Sequence, residues 1–165
     1  MGGRRAQNAT RALPSVCLLA SGFLLLSSVA GASQPATVEV QHVEQISRDH
    51  LIGRGLAERD TEVEPSVAVD PQHRRDVVAV FQDGRFPGGG ALAIGYATSH
   101  DEGRTWVHGE LPGLTVATGG RFKRASDPVV AYGPHGSVYA ESLLVNPSSR
   151  GCRIGVGRNA VAVSR

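Results

Sequence analysis

Ser99-His100-Asp101-Glu102-Gly103-Arg104-Thr105-Trp106 is the densest grouping of chemically useful side chains in this 165-residue chain. The spacing Ser-x-Asp-x-Gly-x-Thr-Trp suits a tight reversal of the backbone. Asp101 can accept hydrogen bonds from the N–H groups of its own turn. Gly103 can enter the left-handed region that such a turn demands. Ser99 and Thr105 carry short hydroxyls that can tie the two flanks together. Trp106 can cover the hairpin with a large apolar face. A calcium loop starting at Asp101-Glu102 is the alternative, but the remaining spaced oxygens of such a loop are missing.

Other chemistries find less support. The six histidines (His42, His50, His73, His100, His108 and His135) show no metal-ligand spacing. Gly88-Gly89-Gly90 has no following helix and no lysine, so it is not a phosphate loop. The expectation is no metal and no cofactor. Cys17 and Cys152 are the two cysteines. Cys17 falls in an apolar N-terminal run, which leaves Cys152 without an internal partner. It is either a small, partly buried residue or the half of a bridge to sequence further on.

The N-terminal run is a targeting signal in pattern. Arg4, Arg5 and Arg11 precede the apolar stretch Val16–Ala30, and Ala30-Gly31-Ala32 supplies a small-x-small site. A positive segment, an apolar segment and a small-residue site together read as a cleaved secretory signal over residues 1–32. The stretch is shorter than the roughly 20 residues of a membrane span. Arg4-Arg5 lacks the flanking residues of a twin-arginine signal, and Cys17 lies too early for a lipoprotein. The expected location is secreted, periplasmic or extracellular, with no stable membrane span after cleavage. Residues 1–32 hold three of the 17 basic residues and none of the 15 acidic ones. The remainder, 14 basic against 15 acidic, has no nucleic-acid footprint.

The elements that must position these residues are strands. Residues 33–61 are polar and mixed, with one alternating stretch, Thr37–Val43, that reads as a strand in a linker segment. From residue 62 the texture is short β-branched runs: Ser66–Val69, Val77–Phe81, Leu92–Ser99 and Thr105–His108. Turn residues separate them at Asp70-Pro71, Asp83-Gly84, Pro87–Gly90 and Glu102-Gly103. Gly133-Pro134-His135-Gly136 reads as a further turn. No window outside the signal carries a helical stripe. The expected class is all-β.

The pattern repeats. Glu64-Pro65-Ser66-Val67-Ala68-Val69-Asp70-Pro71 aligns with Asp127-Pro128-Val129-Val130-Ala131-Tyr132-Gly133-Pro134, as acid-Pro-x-Val-Ala-x-x-Pro at an offset of 63. Val77–Val80 corresponds in character to Gly136–Tyr139, and Ala97-Thr98-Ser99 to Ala162-Val163-Ser164. Repeats of this size, with about four strands each, mark β-propeller blades.

Ser99–Trp106 resembles the Asp-box, or BNR repeat, of the sialidase superfamily at every defined position. With the repeat, the resemblance covers residues 62–165. It implies four-stranded antiparallel blades, blade one over about 62–125 and an incomplete blade two over about 126–165. About two blades do not close a propeller, so missing blades or a partner chain are expected to complete it. In the family the boxes lie on the outer rim, so Ser99, Asp101, Gly103, Thr105 and Trp106 are expected to be structural.

The resemblance further implies hydrolysis of a terminal sialic acid or a related sugar. Sialidases use an arginine cluster for the substrate carboxylate, an aspartate acid/base, and a tyrosine nucleophile paired with a glutamate. Arg85-Phe86-Pro87 resembles the family's Arg-Ile-Pro, with Phe in place of Ile and a position after the second strand. Arg85 is one catalytic candidate, the other reading being a solvated loop arginine. Asp127 begins an inner strand and is the second, either as acid/base or substrate contact or as a turn cap before Pro128. Glu64 is its repeat partner. Glu141, Arg121, Lys123 and Arg124 are lesser candidates. The family's tyrosine belongs to later blades, so this chain alone is expected to be inactive. The alternative is a non-catalytic propeller that binds glycans or proteins.

Overall fold

The computed structural model describes residues 37–40, 42–48, 51, 57–147 and 157–165. The reading of residues 1–32 as a signal and the fate of Cys152 lie outside them. The strands among the described residues all belong to the compact unit His42–Arg165.

Among the described residues, the β-branched runs become seven strands, all antiparallel, in one open sheet. They are β1 (Glu62–Val69), β2 (Val77–Arg85), β3 (Ala91–Ser99), β4 (Val107–Glu110), β5 (Arg124–Tyr132), β6 (Val138–Val145) and β7 (Asn159–Ser164). No α-helix occurs among the described residues, and none of their helices is long and apolar enough to cross a membrane. Each strand pairs with the next from β1 to β4, and again from β5 to β7. Two meanders result. A single pairing of Ala91 with Ala125 joins their ladders.

Apolar burial between the meanders holds them together. Val78, Val80 and Ile94 of the first meet Ala125, Val130, Ala140 and Leu144 of the second, with Leu114 from the connection. β2 is buried from Val78 to Gly84; its apolar part, Val77–Phe81, suits that burial, while Gln82 and Asp83 are buried polar residues. At Gly95 the chain needs the absence of a side chain. A Cβ there would stand 2.4 Å from the Phe81 ring.

The acid-Pro repeat is a repeat of structure. The β1–β2 register shifts between Val63 and Ser66, and the β5–β6 register between Ser126 and Val129. Glu64 and Asp127 sit in these bulges with φ of 54° and 50°. Asp127 is therefore a bulge residue within a strand, not a turn cap.

Other expectations need correction. Thr37–Val43 is not a strand in any described residue. Val38, Val40 and Val43 are largely exposed, so alternation there met no partner to pair with. Asp83-Gly84 is not a turn. β2 runs through it to Arg85, and the reversal falls at Pro87–Gly90. The fourth strand starts at Val107, because Thr105 and Trp106 are consumed by the preceding turn. Val80 pairs with both Ser66 and Tyr96, and Glu141 with both Val129 and Val163. The later strands therefore correspond two residues further along than their sequences suggest, with the same residues facing the same side.

Replacing Gly95 by Val is expected to lower unfolding free energy by about 1–3 kcal/mol, the usual range for overpacking. Urea denaturation followed by circular dichroism measures this directly.

Candidate functional site

Two constellations contain the candidate residues, and they differ in how their polar atoms are used. The first is the β3–β4 turn. Ser99 is buried, and its hydroxyl accepts from the Gly103 N–H at 2.8 Å while donating to Asp101 Oδ1 at 2.8 Å. Asp101 Oδ1 also accepts from the N–H groups of Arg104 (3.0 Å) and Thr105 (2.8 Å), and Oδ2 from the Thr105 hydroxyl (2.6 Å). Gly103 adopts φ 82°, a conformation that glycine enters without strain. The Trp106 indole donates to the Gly103 carbonyl at 2.9 Å and lies against that glycine.

These bonds hold the Asp101 carboxyl far below its ordinary value. The Thr105 hydroxyl and the Thr105 N–H contribute most; burial opposes them, and Ser99 and Arg104 add smaller lowering effects. The Ser99 hydroxyl and both Asp101 carboxylate oxygens are committed to the turn itself, so this constellation shapes a hairpin.

A neighbouring turn behaves alike. Asp70 is buried, accepts from the Gln72 N–H at 2.8 Å and meets His73 Nδ1 at 3.3 Å. Its carboxyl is held low first by the Gln72 N–H. Donor atoms of Asp70, His73 and Asp76 lie within 4.8 Å of one another, a grouping that histidine spacing alone did not disclose. Asp76 is turned toward His100 Nδ1 at 2.9 Å, and the Glu102 N–H donates to the Arg75 carbonyl at 3.0 Å. The β1–β2 turn therefore braces the β3–β4 turn. Tyr132 stands close by, and burial followed by the charges of Asp76 and Asp70 pushes its phenol upward.

The second constellation is a cavity of about 200 Å³ at the bulged ends of β1 and β5. Arg85 and Asp127, distant in sequence, both line it, with Glu64, Arg124 and Ser126. Arg85 is the last residue of β2. Its N–H donates to the Thr61 carbonyl (3.4 Å), and its carbonyl accepts from the Glu58 N–H (2.7 Å). Its guanidinium makes no hydrogen bond or ion pair among the described residues. Arg124 is engaged, donating to the Gly89 carbonyl at 2.7 Å with its guanidinium 4.2 Å from the Phe86 ring centre.

Glu64 organises this cavity. Its Oε2 accepts from the Asp127 N–H at 3.2 Å and from the side-chain amide of Gln82. Gln82, buried on β2, also donates to the Ser126 hydroxyl at 3.0 Å. Gln82 thus positions two cavity residues without lining the cavity itself. Sequence reasoning missed Gln82 and Ser126. The signal that bore on them was the acid-Pro repeat, which marks both bulges.

Of the lesser candidates, Arg124 lines the cavity. Glu141 is exposed on β6, Arg121 and Lys123 are exposed before β5, and the Lys123 N–H donates to Asn146 Oδ1 at 2.9 Å. No family model, curated protein or solved structure matches the chain.

Asp101→Asn gives a test of the turn. A folded-state carboxyl below the ordinary 3.8 stabilises the fold fully above that pH, and the contribution disappears as pH falls through the folded value. The variant is expected to melt lower than the parent at pH 7. The gap between their melting temperatures should narrow steadily as the pH is lowered below 3.8. A gap that is constant with pH contradicts the charge-assisted turn.

Proposed function

We propose that this is an exported, sialidase-like β-propeller protein whose bulge cavity recognises the carboxylate of a terminal acidic sugar. The observation that carries the reading is the meeting of Arg85 and Asp127 in one cavity, the Arg85 guanidinium being free of partners among the described residues. Export rests on the Arg-rich, apolar and Ala30-Gly31-Ala32 pattern of residues 1–32, and the family on the Ser99–Trp106 motif with the repeat.

A guanidinium offers a planar fork of donors matched to both oxygens of a carboxylate. Glu64 and Asp127 supply acceptors suited to sugar hydroxyls, and Ser126 a hydroxyl that both donates and accepts. Arg124 adds positive charge at the rim while staying fixed to Gly89 and Phe86. In a hydrolytic site Asp127 would protonate the leaving oxygen, and a nucleophile would be needed on the opposite face of the sugar. Among the described residues, no tyrosine lines the cavity. Recognition is accordingly the activity assigned to this chain. Hydrolysis would require the tyrosine–glutamate pair that the resemblance places on later blades.

Titration with the methyl α-glycoside of N-acetylneuraminic acid tests the reading, with methyl galactoside as the uncharged control. Arg85→Ala is expected to weaken binding at least about tenfold, the loss of one charge-assisted pair. Arg85→Lys should retain part of the affinity. Equal binding of the uncharged sugar, or indifference to Arg85→Ala, would sink the proposal. Saturable release of sialic acid from a fluorogenic substrate by the purified chain would replace recognition by hydrolysis.

A further inference from the structure

The strand registers establish a residue-for-residue equivalence between the meanders. In the first, Ser66, Val80 and Tyr96 stand opposite one another across β1, β2 and β3, and Ala68 stands opposite Val78. In the second, Val129, Glu141 and Val163 do so across β5, β6 and β7, and Ala131 stands opposite Tyr139. One step along, Gln82 pairs with Ile94, and Leu143 with Val161. Side chains alternate between faces, so each set occupies one face of its meander.

The two faces are in opposite states. The first is the face that meander one buries against meander two, with Val80 and Ile94 at 0% exposure and Val78 at 3%. The second is open, with Val129 at 56%, Tyr139 at 37%, and Val161 and Val163 at 65% each. A contiguous apolar face of this kind marks an interaction surface.

The complementary half is also present. Meander two receives meander one on a face that includes Val130 and Tyr132 of β5. The acid-Pro offset of 63 makes Val67 and Val69 of β1 their counterparts. Those two valines are 66% and 51% exposed. On β1 the chain therefore presents the counterpart of β5, the strand that receives meander one internally, while the β2 counterparts Ala79 and Asp83 are already buried.

We infer that the open face of β5–β7 seats the β1 face of a second copy of this chain, repeating head to tail the contact between its own meanders. The inference rests on pairing and burial alone and holds whatever the cavity binds. Such a contact is heterologous, so it propagates or closes into a ring rather than stopping at a symmetric dimer. Glu141 occupies the position of Val80. A carboxylate in the middle of an apolar contact must be desolvated, which keeps the association weak and reversible.

Sedimentation velocity on the protein in its exported form tests this. The weight-average mass is expected to rise with concentration. V161E/V163E removes one half of the interface and V67E/V69E the other, so each variant alone should be monomeric. Mixed in equal amounts, they should form a 1:1 dimer and go no further, since each retains one intact face. Glu141→Val should tighten association about tenfold or more, the usual effect of relieving a desolvated charge. Circular dichroism and Trp106 fluorescence confirm folding, and V161T/V163T replaces the glutamate pair if that variant unfolds. A parent protein that stays monomeric overturns the inference. So does a mixture of folded, capped variants that stays monomeric, or self-association of V67E/V69E alone.

Discussion

One carboxylate, that of Glu64, fastens the first meander to the second. It accepts the Asp127 N–H from the opposite bulge and the Gln82 amide from its own meander. The Ser66 hydroxyl adds a parallel tie by accepting from the Val130 N–H at 3.2 Å. Both bulged acids hold positive φ, a conformation that costs of order 1–3 kcal/mol per residue and persists only where the surroundings over-determine it. Here the surroundings do so. Proline follows each acid, the ladder resumes beyond it, and the first acid's side chain caps the second acid's backbone. The cavity, the placement of Asp127 and the approach of β1 to β5 all follow from that arrangement.

Three aspartates of this chain illustrate how environment assigns a role to one residue type. Asp101 accepts four hydrogen bonds within its own turn, its charge being spent on backbone and hydroxyl donors. Asp70 is buried and serves the Gln72 N–H and His73. Asp127 differs. Its backbone is held by Glu64, while its side chain lines a cavity. An acid whose oxygens are already saturated can only build, whereas one held through its backbone keeps its oxygens for a guest.

Local composition made most of the strands legible. Val77–Phe81 and Leu92–Ser99 fall within β2 and β3, and the Ser99–Trp106 turn has the bonds that its spacing implied. Local patterns failed where pairing decides. Asp83-Gly84 carries a strong turn signal, yet the strand partner Ala93 opposite Asp83 keeps that stretch in the ladder. Thr37–Val43 alternates well but has no strand beside it among the described residues. The cavity was half legible. Arg85 and Asp127 were candidates by resemblance, and the repeat pointed to Glu64. Gln82 and Ser126 were hidden, because their role depends on a close approach of β2 to β5 that no local pattern encodes.

The two ladders share a single residue pair, Ala91 with Ala125. Elsewhere the meanders meet through side chains, which can slide where hydrogen-bonded strands cannot. Among the described residues, that lone pair is the backbone ladder contact between two leaves otherwise joined by side chains, Glu64 and Ser66 among them. The cavity straddles it, with Gly89 and Gly90 on one side and Arg124 and Ser126 on the other. A molecule bridging Arg85 of one leaf and Asp127 of the other would add one more tie of the kind that Glu64 and Ser66 already make, a side chain reaching across the seam.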